Sequence, residues 1–259
     1  MNQEEGLLSF GGHLEVLRQM LFRILGGTFV FSCLIFCFKS KTFDILLAPS
    51  DSSFITYQSV ENLINRFDPS FRFDEFDIDL IATDLSSQFV THLSTSIYLG
   101  LLCASPLIMY ELFRFVSPAL LENERKYSTK IVISIYALFL MGVLMSYYIL
   151  FPISFRFLGT YSVADKVHSM ITLDSYISTF TSLTLLMGIV FQLPVIAFIL
   201  AKMGILNPSQ MAKYRKHAFI LIMLVAAIIT PPDILTLILI TLPLYGLYEL
   251  SIKLTNYII

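Results

Sequence analysis

Six apolar runs, over residues 21–38, 89–116, 129–150, 176–201, 217–230 and 234–250, set the terms for this chain. A helix rises ~1.5 Å per residue, and roughly 20 apolar residues cross a hydrocarbon core of about 30 Å. The first four runs meet that length. The last two reach only about 20 and 25 Å at the same rise. A soluble domain carries roughly a quarter charged residues, whereas this one has 14% charged and 56% hydrophobic side chains in 259 residues. Too little polar surface remains to cover a water-soluble core. The pattern predicts an all-α membrane protein with six transmembrane helices.

Charge sets the orientation. With both termini on the cytoplasmic side, that side holds 11 of the 17 lysines and arginines. The two short loops at 117–128 and 202–216 are strongly basic, which fits the positive-inside rule. Residues 1–20 are acidic where a signal peptide would be basic. Leu7, Phe10, Leu14, Leu17 and Leu21 recur every three or four residues, so this segment is expected to be an amphipathic cytoplasmic helix on the membrane face. Residues 39–88 form the largest extramembrane piece. Val60, Leu63, Ile64 and Phe67 there have helical spacing, while Phe76, Ile78 and Leu80 alternate as a strand would. A solvated cap is the plain reading of this segment, and a docking surface is its alternative.

Other classes find little footing. A net charge of −2 gives no basic patch for nucleic acid. His13, His92, His168 and His217 are dispersed, with no HExxH pair, no GxSxG elbow and no glycine-rich phosphate loop. Neither enzyme activity nor a metal or cofactor is expected. Cys33, Cys37 and Cys103 lie in apolar runs and read as small packing residues. Tryptophan is absent, which leaves any interfacial belt to tyrosines such as Tyr110, Tyr127, Tyr147, Tyr148, Tyr176 and Tyr214.

The loop "YELFRFVSPALLENERKY" at 110–127 carries the most chemistry. Glu111 and Arg114 have the spacing of a structural helix pair, and Pro118 stops the helix. Glu122 and Glu124 then stand in an otherwise basic loop near Phe115. A solubilising role is the plain reading. Two carboxylates there could also bind a cationic peptide, because arginine pairs with carboxylate bidentately.

"GGHLEVLRQMLFR", "FVSPALLENERK", "IATDLSSQF", "FQLPV" and "ITPPDILTLILITLPLYGLYE" occur in an order and spacing that resemble the TatC family, the multispanning core of the twin-arginine protein translocase. The resemblance covers nearly the whole chain, 1–259, as one integral membrane domain. It implies six spans with cytoplasmic termini in a prokaryotic plasma membrane, and a kinked bundle shaped as a concave cup. It also implies recognition of twin-arginine signal peptides on folded cargo, cooperation with small single-span partners of the TatA/TatB type, oligomeric assembly in the lipid bilayer, and drive from the proton-motive force. By position, Glu124 is the loop glutamate that takes the arginine pair, and Phe115, Pro118 and Arg18 shape the site. Pro49 and Asp233 match a proline and an aspartate of the first and last outer loops. The family's second arginine-binding glutamate falls on Val16 here, so Glu15 and Glu122 compete for that contact. Gln192 stands where the fourth span often has a glutamate; it can hydrogen-bond but holds no charge.

A solute permease is the alternative class. It calls for charged residues at the membrane midplane, where the fourth span offers only Gln192. The "ITPPDIL" break reads as a tight turn between two short spans, with Thr230 or Asp233 capping exposed donors. Their shortness predicts local bilayer thinning. Pro106, Pro194 and Pro243 fall inside the second, fourth and sixth runs and predict kinks there.

Overall fold

The computed structural model describes residues 10–67, 76, 78–116, 128–162, 164, 169–202, 204–229 and 233–258. In order these form α1 (Phe10–Cys37), α2 (Lys39–Leu47), a 3-10 turn (Ala48–Ser50), α3 (Ile55–Ile64), β1 (Leu80–Ile81), α4 (Ser87–Cys103) and α5 (Ser105–Val116). There follow α6 (Ser128–Met145), a π-helical turn (Ser146–Leu150), α7 (Phe151–Thr160), β2 (Ile171–Thr172) and α8 (Leu173–Val190). The last elements are α9 (Leu193–Lys202), α10 (Pro208–Lys213), α11 (Arg215–Ile229) and α12 (Ile234–Ile258). The all-α expectation holds, with a two-residue parallel pairing of β1 on β2 as the only sheet among the described residues.

Four helical stretches there are long and apolar enough to cross a membrane: Leu14–Cys37, Val132–Thr160, Leu173–Ala201 and Ile234–Asn256. The bent pair α4–α5 makes a fifth if it counts as one span. The chain divides into two compact units. The first comprises α1, the end of α4 from Ser96, α5 and the start of α6 to Tyr136; the second comprises the remainder.

Helix ends differ from the apolar runs in instructive ways. α1 is continuous from Phe10, so Leu14 and Leu17 occupy the opening turns of the first spanning helix rather than a separate interfacial one. The sixth run stops at Leu250, but α12 continues to Ile258 and is 25 residues long in all, about 37 Å at the usual rise. It is therefore not a short span. α11, with 15 residues, is short at about 22 Å. The proline expectations divide. α4 and α5 meet at a 53° bend just before Pro106, and the chain breaks at Phe191 and Gln192 just before Pro194. Pro243, in contrast, sits inside an uninterrupted α12.

In the second unit, the segment after residue 38 is organised by tyrosines. Helix ends leave carbonyls without intrahelical donors, and α2 and its 3-10 extension end together. Tyr147 Oη donates to the Ile45 carbonyl at 2.7 Å, Tyr176 Oη to Leu46 at 2.8 Å, and Tyr57 Oη to Pro49 at 2.8 Å. Tyr57 Oη also lies 3.0 Å from the Pro152 carbonyl, and burial pushes its phenol pKa well up, which keeps it a donor. Pro49 is buried and serves here as a fixed acceptor. Tyr176, expected at the interface, is instead core, wedged edge-on against Phe151 and Phe155. The Arg156 guanidinium lies 5.5 Å from the Tyr57 ring centroid and 5.0 Å from that of Phe76, within cation–π range of both, while the two rings meet edge-on at 5.3 Å.

The π turn has a cause in sequence. Pro152 lacks an N–H and cannot serve the carbonyl four residues back, which is that of Tyr148. The Thr56 hydroxyl, from α3, donates to it instead. α3 is thus tied to the π turn that precedes Pro152 in the third span.

Candidate functional site

In the first unit, one end of α1 and the end of α5 gather the charged groups. Glu15, Arg18 and Gln19 stand at i, i+3 and i+4 on α1, which places them on one face. Arg18 Nη2 donates to Glu15 Oε1 at 2.7 Å and Gln19 Nε2 to the same oxygen at 3.1 Å. Both members of the ion pair are solvent-accessible, at 66% and 46% of side-chain area. Val16, beside Glu15, is exposed as well.

One turn further on, Arg23 Nη1 reaches both oxygens of Glu111 on α5 at 3.3 Å. This pair is unequal: the Arg23 side chain is 48% exposed and that of Glu111 only 7%. Spacing along α5 pointed to Arg114 as the partner of Glu111, but the carboxylate faces α1. Only the fold could show that, because the two residues are 88 apart in sequence. Glycines let α1 approach both neighbouring helices of the unit. A Cβ on Gly27 of α1 would fall 2.4 Å from the Leu107 side chain of α5, and one on Gly100 of α4 would overlap Ser32 of α1, whose backbone nitrogen would lie 2.7 Å away.

Phe115 is exposed near the end of α5. Pro118, Glu122 and Glu124, the candidates that follow in sequence, lie outside the described residues. The structure thus brings Glu15, Arg18 and Arg23 onto α1, and Glu111 and Phe115 onto α5, within one unit.

The remaining candidates lie elsewhere, in the second unit, and have local duties. Gln192 is buried in the break between α8 and α9, where its backbone carbonyl accepts the amides of Val195 and Ile196 at 3.0 Å. Asp233 caps α12. Its Oδ1 accepts the Thr236 amide at 2.7 Å, and its other oxygen takes the Thr236 hydroxyl. That is the capping role sequence allowed it, and Asp233→Ala is expected to cost about 1 kcal/mol, read as a fall in thermal midpoint in detergent. Pro49 is the tyrosine acceptor described above. Cys33, Cys37 and Cys103 are free and exposed on their helices, not packed inside as their apolar surroundings suggested.

These features define a multi-pass helical membrane protein with ionic contacts joining α1 to α5. Residues 12–243 match the family model described as Sec-independent protein translocase protein (TatC). The chain belongs to this TatC family. It is 32% identical over its full length to the TatC of Blattabacterium sp. subsp. Periplaneta americana, covering 98% of that protein. It is 30% identical over 95% of its length to the TatCd of Bacillus subtilis, covering 91% of it. A crystal structure titled as the twin arginine translocase receptor TatC superposes with a TM-score of 0.73 at 29% identity, over 95% of this chain and 98% of that one. The chain is therefore a protein-translocase component with multiple membrane-spanning helices. The solute-permease alternative finds no support.

Proposed function

We propose that this chain is the receptor and scaffold for twin-arginine signal peptides in the export of folded proteins, with Glu124 the first carboxylate to meet the arginine pair. The reading rests on family membership together with the charged face shared by α1 and α5. A guanidinium binds a carboxylate bidentately and keeps its charge at any working pH, so a receptor for two arginines needs two carboxylates that can exchange partners.

Burial separates the candidates. Glu111 is almost wholly buried against Arg23, and breaking such a pair is expensive. Glu15 is paired at the surface with Arg18, and an exposed pair contributes only about 0–1 kcal/mol. An incoming arginine can displace Arg18 at little cost. Glu15, adjacent to Val16, thus supplies the second contact, and Glu122 is its competitor. Phe115, exposed near the end of α5, offers an apolar edge to the signal's hydrophobic segment, and Pro118 is assigned to the same site.

The rest of the reading follows the family and the charge distribution. The whole chain acts as one integral membrane domain with both termini cytoplasmic in a prokaryotic plasma membrane. It gathers small single-span partners into an oligomeric site, uses the proton-motive force and catalyses no reaction of its own.

The test is crosslinking of a twin-arginine signal peptide to the protein in membranes. Losing one charge-assisted contact removes about 1.5–3 kcal/mol, so Glu124→Gln is expected to weaken binding about tenfold or more. Glu15→Gln follows if it is the second contact, and Glu122→Gln if that residue is. A Lys-Lys signal should bind poorly. Equal capture of Arg-Arg and Lys-Lys signals, with no variant altering either, overturns the assignment.

A further inference from the structure

The second unit carries a cationic corner that signal recognition does not use. α10 ends at Lys213, and α11 opens with Arg215, Lys216 and His217; all four side chains, and Tyr214 between them, are exposed. Lys253 is exposed on the last turns of α12. From residue 175 onward the chain has only two carboxylates, Asp233 and Glu249. Asp233 belongs to the opposite end of α11 and α12. Glu249 is held by Arg215, whose Nε and Nη2 donate to it at 2.7 and 3.1 Å, and by the Tyr245 hydroxyl at 3.1 Å. That clasp neutralises Arg215, and among the described residues no carboxylate pairs with Lys213 or Lys216.

The base under these lysines is built. Asn207 Oδ1 caps α10 through the Ser209 amide at 3.1 Å. Gly204, at φ 72°, makes the left-handed turn that returns the chain from α9. Met211 packs in a buried cluster with Ala197 of α9 and Ile252 of α12, and its carbonyl accepts the Tyr248 hydroxyl at 2.9 Å. Beyond the lysines, α11 turns Ile220, Leu221 and Leu224 outward. With 15 residues, it spans less than the hydrocarbon core. A short span draws headgroups toward its ends, and long basic side chains reach back to meet them.

We propose that this corner is a binding site for an anionic phospholipid. The phosphodiester sits between Lys213 and Lys216, with Tyr214 at headgroup level and the acyl chains along Ile220, Leu221 and Leu224. A lipid is the occupant because the cationic and apolar surfaces are continuous along one short helix. A free phosphate would use only the first. The site holds in either orientation of the chain and whether or not Glu124 binds signals.

The test uses the full-length protein in mild detergent, equilibrated with equal amounts of phosphatidylglycerol and phosphatidylethanolamine. Retained lipid is counted by mass spectrometry. Wild type is expected to retain phosphatidylglycerol in clear excess. Each basic residue near an anionic headgroup contributes about fivefold, so Lys213→Gln/Lys216→Gln should cut that retention by about tenfold or more. Lys39→Gln/Lys41→Gln, on α2 of the same unit, should leave it unchanged, and Lys213→Arg/Lys216→Arg should preserve it. Equal retention of the two lipids by wild type overturns the proposal without reference to any variant. So does an equal loss in both glutamine pairs, or full displacement of the lipid by inorganic phosphate.

Discussion

Replacing Arg23 by methionine is expected to destabilise the first unit by about 3 kcal/mol, at the low end for a broken buried ion pair, while Glu111→Gln costs about 1 kcal/mol. The asymmetry comes from burial. Removing the arginine strands a carboxylate that is 7% exposed, whereas removing the carboxylate frees an arginine already 48% exposed, which can find water or a lipid headgroup. The double replacement Arg23→Met/Glu111→Met leaves no uncompensated charge and should recover most of the loss. Thermal midpoints of the purified variants in one detergent decide it. Equal losses from the two single variants, or an additive double, would show that the pair is not the α1–α5 fastening described here.

The family was legible in the sequence because its motifs left local marks along most of the chain. Apolar length marked the long spanning helices, and Asp233 marked the start of α12. What stayed hidden is what three-dimensional contact decides. Hydropathy ended the sixth run at Leu250, yet backbone hydrogen bonding carries α12 past Lys253 and Asn256, since polar side chains do not end a helix. The third run ended before "FPISFRF", but the helical path continues through the π turn into α7 because Thr56 takes the carbonyl that Pro152 cannot serve. α2 went unnoticed because "KSKTFDILL" has little apolar periodicity, and its end is satisfied by tyrosines more than 100 residues away. The same limit applied to the site. The spacing of Glu111 and Arg114 suggested a local pair, and the true partner, Arg23, lies on another helix.

A close helix contact in the second unit predicts the other large effect. Gly142 and Ser146 on the α6 path stand four residues apart, as do Thr184 and Gly188 on α8, the small-residue spacing that lets membrane helices approach closely. A Cβ at Gly142 would lie 2.6 Å from the Met187 carbonyl oxygen and 2.9 Å from Phe191 Cγ. One turn away, the buried hydroxyls of Ser146 and Thr184 pair at 3.2 Å. At Gly142 the obstacle is backbone, so even alanine must push α6 and α8 apart, loosening the hydroxyl pair with them. Overpacking of this kind costs about 1–3 kcal/mol and occasionally more, and Gly142→Val is expected at or above the top of that range. Gly188 offers a contrast. Its added Cβ would meet the edge of the Phe139 ring at 2.6 Å, and a ring at the end of a side chain can turn aside, so Gly188→Ala should cost about half as much as Gly142→Ala. Thermal midpoints and protease resistance of the full-length variants test the ranking, alongside export of a twin-arginine substrate. If Gly142→Ala proves as mild as Gly188→Ala, the helices have room to separate and the contact is not what fixes the third span against the fourth.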